Sequence, residues 1–207
     1  MKALSIIIVS TMITAATAGN SFGQQITEMD RDVKVENFDR IKINSVADVY
    51  FTQGDTYSVK VTGDKEAFDQ TSVRVEKGTL IIDAKYPKQR HVDFGGKQLH
   101  VNVTAADIQG IKIRGVGSFH CNNEISVNHD VDFKMSGVGS INIGKLKCNN
   151  INYKNIGVGG LNLTADCNII KYKHLGVGSS TIKGNVRDIK AKRQGVGHLN
   201  YSTVKFN

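Results

Sequence analysis

The sequence predicts an all-β chain: a right-handed parallel β-helix of short strands in two sheets, turning at Gly-Val-Gly corners, behind a less regular β N-terminal part. Three observations carry this. Gly-Val-Gly recurs at 115–117, 137–139, 157–159, 176–178 and 195–197, in steps of 22, 20, 19 and 19 residues, and a fixed period near twenty marks a solenoid. Apolar and polar residues alternate on both sides of each triplet, the period of a strand with one buried face. The composition, with one Pro, no Trp and 21 Gly, suits many short strands joined by tight turns.

Taken in order, the chain opens differently. Lys2 gives a basic start, Leu4–Ile13 is mostly apolar, and Ala16-Thr17-Ala18 places small residues at a cleavage position. Residues 1–18 read as a secretory signal peptide, with cleavage as late as residue 23 left open, and the apolar run is too short for a membrane span. No Cys follows it, so no lipoprotein anchor is expected. Residues 24–207 then form one exported domain, destined for the periplasm, the outer-membrane surface or the medium. Within it, 30–105 is the less regular part and 106–207 the regular one. Strands are expected at Arg40–Ile43, Asp48–Phe51, Tyr57–Val61, Val73–Val75 and Thr79–Ile82, with turns at Gly54-Asp55, Gly63-Asp64 and Lys77-Gly78. Lys65–Gln70 reads as one helical turn at most. Tyr86–Lys97, with Pro87 and Gly95-Gly96, reads as an exposed loop.

The regular half supplies the ladders. Four residues before each first glycine stand Ile111, Phe133, Tyr153, Tyr172 and Ala191; six before, from the second repeat on, stand Val131, Ile151, Ile170 and Ile189. Four residues past it come Phe119, Ile141, Leu161, Ser180 and Leu199; six past come Cys121, Ile143, Leu163, Ile182 and Tyr201. Stacked coils turn these positions into continuous inward ladders. The corner glycines, Gly115, Gly117, Gly137, Gly139, Gly157, Gly159, Gly176, Gly178, Gly195 and Gly197, are read as structural, since a sharp corner needs unusual dihedrals or close backbone approach. The valine between them is expected to point into the corner. A phosphate-cradling loop would need a helix after it, and here a strand follows.

Phe38-Asp-Arg-Ile-Lys-Ile, Val46-Ala-Asp-Val-Tyr-Phe-Thr-Gln-Gly-Asp, Tyr57-Ser-Val-Lys-Val and Gly78-Thr-Leu-Ile-Ile, followed by the Gly-Val-Gly turns, resemble the auto-transporter adhesin head GIN domain family, formerly a domain of unknown function. The resemblance implies a β-helical domain exported by Bacteroidetes-type bacteria, a role in adhesion, no catalytic residues and no cofactor. It supplies no functional residues to carry over.

Charge is uneven. Residues 24–105 hold 12 Lys/Arg against 13 Asp/Glu, and residues from 106 onward hold 14 against 6, so the halves carry about −1 and +8. Three residues before every Gly-Val-Gly stands a lysine: Lys112, Lys134, Lys154, Lys173 and Lys192. Parity places them outward, and Lys171 and Lys190 extend the same face. Two readings stay open: a solvated face that discourages sheet-to-sheet aggregation, or a stripe for a linear polyanion such as an acidic polysaccharide or a cell-surface glycan. No nucleic-acid partner is expected.

Two residues before each triplet, Ile113, Met135, Asn155, His174 and Arg193 form a ladder that turns polar toward the C-terminus. His174 is expected to be a partly exposed corner residue rather than a metal ligand, and the other histidines show no ligand spacing. Cys121 should be a buried thiol, while Cys148 and Cys167 should be stacked neighbours, with a disulfide left open. The repeat region's acids, Asp107, Glu124, Asp130, Asp132, Asp166 and Asp188, form no stacked carboxylate column of the kind a β-helical lyase or hydrolase needs. The expected function is a non-catalytic exported module for adhesion or acidic-glycan binding. The alternatives are a carbohydrate-active enzyme of the same shape, or an envelope protein that forms homo-oligomers through its end coils.

Overall fold

The computed structural model describes residues 28–84 and 99–206; the expected signal peptide and the Tyr86–Lys97 loop lie outside them. The described strands form one continuous sheet that wraps into a solenoid. Two parallel stacks make its body. The stack before the corners contains β6 (Thr79–Ala84), β2 (Arg40–Asn44), β8 (Gly110–Ile113), β10 (Val131–Met135), β12 (Asn150–Asn155) and the second halves of β13 (Leu161–His174) and β14 (Ser180–Arg193). The stack after the corners contains β7 (Leu99–Ala105), β3 (Ala47–Gln53), β9 (Phe119–Ser126), β11 (Ile141–Lys147), the first halves of β13 and β14, then β15 (Leu199–Asn200) and β16 (Val204–Lys205). The two expected sheets are thus two parts of one ribbon, joined because β13 and β14 run through both.

The order in space departs from the order in the chain. The first coil, β2–β3, is sandwiched between the later β6–β7 coil and the β8–β9 coil. Its corner is Ser45-Val46-Ala47, and Val46 pairs with Val116 as every later corner valine pairs with the next. The outer side of the β6–β7 coil is closed by antiparallel strands: β5 (Thr71–Glu76) on β6, β4 (Ser58–Asp64) on β7, and β1 (Glu28–Val33) on β4. Between β4 and β5 lies α1 (Lys65–Asp69), the single helical turn expected there. Asp64 caps it by accepting from the Glu66 N–H at 2.9 Å, and Ala67 and Phe68 are buried. Arg31 lies over the Phe68 ring at 4.3 Å, a favourable cation–π contact. The tight β5–β6 turn uses Lys77 and Gly78, both at positive φ (49° and 71°), the pairing a two-residue hairpin requires.

The inward ladders hold as expected through most of the stack. Phe119, Phe133, Ile141, Ile151, Tyr153, Leu161, Ile170 and Tyr172 are buried, and the Tyr153 and Tyr172 rings stack at 5.0 Å. The ladders end before the chain does. Ile189 is only half-buried, and Ala191 and Tyr201, both expected inward, are exposed, because no further coil among the described residues covers them.

The corners are built by close approach. A Cβ on Gly159 would lie 1.5 Å from the Gly139 carbonyl oxygen, and the residue has φ 136°; neither is compatible with a side chain. The crowding is toward the preceding coil. Ser45 and Ala47, the equivalent residues of the first coil, carry side chains and are buried. The corner valines do not point inward. Val116, Val138, Val158, Val177 and Val196 are 48–69% exposed, which corrects the expectation. The physical reason is that strand parity runs unbroken through the triplet. Met135, Gly137, Gly139 and Ile141 all face the interior, so Val138 must face out.

Candidate functional site

The expected lysines form one outward column. Cross-strand partners in register are Lys42 with Lys112, Lys112 with Lys134, Lys134 with Lys154, Lys154 with Lys173, and Lys173 with Lys192. Lys42, Lys112 and Lys134 each lie between two buried apolar residues, and Lys154 and Lys173 between a buried tyrosine and a buried polar residue, so the strand pleat turns them to solvent. Lys42 was not visible by counting from glycines, because its corner is Ser-Val-Ala; counting back four from each corner valine finds all six. Lys171 and Lys190 pair beside the column. A shallow groove of about 290 Å³ runs between Lys134, Lys154, Lys171, Lys173, Lys190 and Lys192.

These charges are unspent. Elsewhere the cations close the structure: Lys60 meets Asp30 at 2.8 Å, Lys65 meets Asp69 at 2.6 Å, Arg74 meets Asp83 at 2.6 Å, and Lys145 meets Glu124 at 2.9 Å. Among the described residues, none of the six column lysines is in an ion pair, nor is Lys171, and Lys190 is 4.0 Å from Asp188. Ammonium groups on strands about 4.8 Å apart repel by roughly 1 kcal/mol per pair in water. The Lys112 pKa is pushed below its usual value by partial burial and by the charges of Arg114, Lys42 and Lys134.

Residues 37–205 match the family described as "Putative auto-transporter adhesin, head GIN domain". The chain belongs to this family. Solved structures share the fold. A putative adhesin from Bacteroides fragilis is 21% identical with TM-score 0.61, covering 84% of this chain and 96% of that one. A putative lipid binding protein from Parabacteroides distasonis is 21% identical with TM-score 0.71, covering 86% and 74%. A putative adhesin from Parabacteroides merdae is 15% identical with TM-score 0.50, covering 84% and 95%. No curated protein matches the sequence.

The other polar ladders of this head GIN domain are spent internally. On the far side of the corner, Ser118 accepts from the Ser140 N–H at 3.0 Å, Asn142 donates to Ser140 at 2.8 Å, and Asn162 donates to Asn142 at 2.8 Å. Beside the corner, Asn155 is fully buried. Its amide donates to the Gly159 carbonyl at 2.8 Å, and its oxygen accepts from the Gly157 N–H at 2.8 Å. His174 is also buried, contrary to the partly exposed position expected. Its Nδ1 is 3.3 Å from the Asn155 amide and its Nε2 is 3.3 Å from the Val196 carbonyl. The Asn155 amide nitrogen only donates and a carbonyl oxygen only accepts, so the tautomer with hydrogen on Nε2 satisfies both. Arg193 reaches the Gly197 carbonyl. This ladder turns polar because its side chains bind the corner backbone. No grouping of three or more metal-ligating side chains occurs among the described residues.

The acids of the repeats are also engaged. Asp130 accepts from Asn150 at 2.7 Å, Asp132 from Asn152 at 2.9 Å, and Glu124 binds Lys145. His129 Nε2 lies 2.8 Å from Asp107. Cys121 is buried, and burial pushes its thiol up. Cys148 and Cys167 occupy adjacent coils as free thiols. Their mutual hydrogen bond raises Cys148, with burial adding to the rise, and lowers Cys167 against the opposing effect of burial.

Proposed function

We propose that this head GIN domain is an exported, non-catalytic binding module, and that its lysine column docks along a linear polyanion, with an acidic cell-surface polysaccharide as the expected class. The observation that carries the reading is the register. Six lysines stand one above another at strand spacing and none is in an ion pair among the described residues, whereas Lys60, Lys65, Arg74 and Lys145 each meet a carboxylate. A charge repeated at fixed intervals matches an anion repeated along a polymer. The family description as an adhesin supports binding rather than catalysis. So does the engagement of Asp107, Glu124, Asp130 and Asp132 with neighbouring side chains, which leaves them poorly placed as an acid/base pair.

A glycan array carrying acidic and neutral polysaccharides tests this. Binding restricted to anionic polymers, and weakened as salt rises from 50 to 500 mM, is the expected result. Uniform binding to neutral glycans, or turnover of an acidic one, contradicts it. A second reading has its own observation. Beyond Asn185, the outer edge of β14 has no partner strand among the described residues, and open edges invite assembly. Concentration-dependent light scattering tests that reading.

A further inference from the structure

The corner valines are not explained by the lysine column. Val46, Val116, Val138, Val158, Val177 and Val196 stand in an unbroken run of parallel bridges. Six corners at about 4.8 Å spacing make a straight ridge roughly 24 Å long. The last five are 48–69% exposed, and Ile156, in the neighbouring outward column, is 52% exposed. Leu175 adds a half-buried side chain in the same column. The apolar surface is therefore concentrated on the central coils and amounts to a few hundred Å², a size that marks an interaction site on a monomer.

The corner itself does not demand valine. The five later corners require glycine on both sides, but the residue between them faces solvent. A β-branched side chain stiffens the bridge, yet threonine would do the same with a hydroxyl toward water. All six corners carry valine. A linear polysaccharide alone gives this ridge nothing to meet.

The columns around the ridge say what it suits. On one side run Lys112, Lys134, Lys154, Lys173 and Lys192. Between them and the ridge run Arg114, Ser136, Ile156, Leu175 and Gln194, and on the other side run Ser118, Ser140, Gly160, Ser179 and His198. Across these five coils the four outward columns contain no carboxylate; in the first coil the last column holds Asp48, which accepts from the Ser118 N–H at 2.7 Å. The cross-section thus passes from cations to an apolar edge to hydroxyls. An anionic lipid surface can meet these together: the apolar edge points toward the acyl chains, while the cations on one flank and the hydroxyls on the other stay at the level of the phosphates and glycerol. Lysine stems are long enough to lie along apolar surface while their ammonium groups reach phosphate.

We propose that the valine ridge is a membrane-contact edge, seated in the interface of an anionic lipid surface with the lysine column on its phosphates. The proposal rests on the reading of the lysine column as an anion-binding face, but adds a requirement that face alone does not make.

Co-sedimentation of the full chain with vesicles of phosphatidylcholine, with and without 40% phosphatidylglycerol, tests it, alongside binding to soluble polygalacturonate. Val138→Thr/Val158→Thr/Val177→Thr keeps shape and strand preference while removing apolar surface. It is expected to lose at least tenfold in partitioning to anionic vesicles and to keep its affinity for polygalacturonate. Lys134→Gln/Lys154→Gln/Lys173→Gln is expected to lose both. The chain has no Trp, so Val158→Trp supplies a single reporter, whose emission should shift to the blue on anionic vesicles. Three results would each overturn the inference: no vesicle binding by the unsubstituted chain, unchanged vesicle binding by the threonine variant, or no emission shift from the Val158→Trp variant. Retained polygalacturonate binding in those cases leaves the column reading standing; loss of both removes it as well.

Discussion

The two ends of the solenoid are finished differently. At one end β5, β4 and β1 lie antiparallel against the β6–β7 coil, and the charges there are consumed by Lys60–Asp30, Lys65–Asp69 and Arg74–Asp83. At the other end the last coil is uncovered, Ala191 is exposed, and the lysines stand without counter-ions. Both regions use the same parallel ladder with valine at each corner. The difference lies in how charge is used at each end: the capping strands and their helical turn pair theirs, while Lys171, Lys173 and Lys192 near the open end are in no ion pair among the described residues.

The sharpest way to break this comparison is at equivalent corner positions. Gly159→Ala drives a Cβ to 1.5 Å from backbone oxygen at φ 136°, and neither backbone can yield cheaply. Loss of more than about 4 kcal/mol, or failure to fold, is expected by denaturant titration. Ala47→Gly, at the same position of the first coil, should cost only about 1 kcal/mol. Next comes the interior. Phe133→Ala removes a fully buried ring and should cost about 3–5 kcal/mol. Ala191→Ser, at the equivalent place in the open coil, should change stability by less than about 0.5 kcal/mol. Asn155→Ala strands the Gly157 N–H and the Gly159 carbonyl and should cost about 1–3 kcal/mol.

The smallest effect is one of pH. Burial works against the charged form of His129, but the Asp130 carbonyl and the Asp107 carboxylate outweigh it and hold its pKa above the usual 6.5. A raised folded value means that the contribution is complete below the unfolded value and fades as pH rises through the folded one. His129→Ala should therefore destabilise more at pH 5.5 than at pH 9. With the side chain 30% exposed, the difference should stay under about 1 kcal/mol. Melting temperatures at the two pH values measure it.

Much of this was legible because period two is a strong signal. The alternation around each Gly-Val-Gly named the inward ladders, and counting back three residues named five of the six column lysines. What escaped was set by the backbone. Ser45-Val46-Ala47 carries no glycine, so a count from glycines passes over this corner and Lys42 with it. The same parity that placed the lysines outward also placed the valines outward, once the triplet is recognised as a bend that does not interrupt the strand. The burial of Asn155 and His174 follows from corner carbonyls and N–H groups that need partners, which a side-chain pattern does not display. Strands β1 and β7, and the place of the β6–β7 coil outside β2–β3, depend on pairings between distant segments that no local pattern encodes.

The central claim is that stacking gathers unspent lysines into one anion-docking column. Affinity for polygalacturonate, measured against salt for the unsubstituted chain and for Lys134→Gln/Lys154→Gln/Lys173→Gln, tests it most directly. The triple variant is expected to fold with unchanged or slightly higher stability, to bind at least tenfold more weakly at low salt, and to show a flatter dependence of affinity on salt. Equal affinity and an equal salt slope in the two proteins would contradict it.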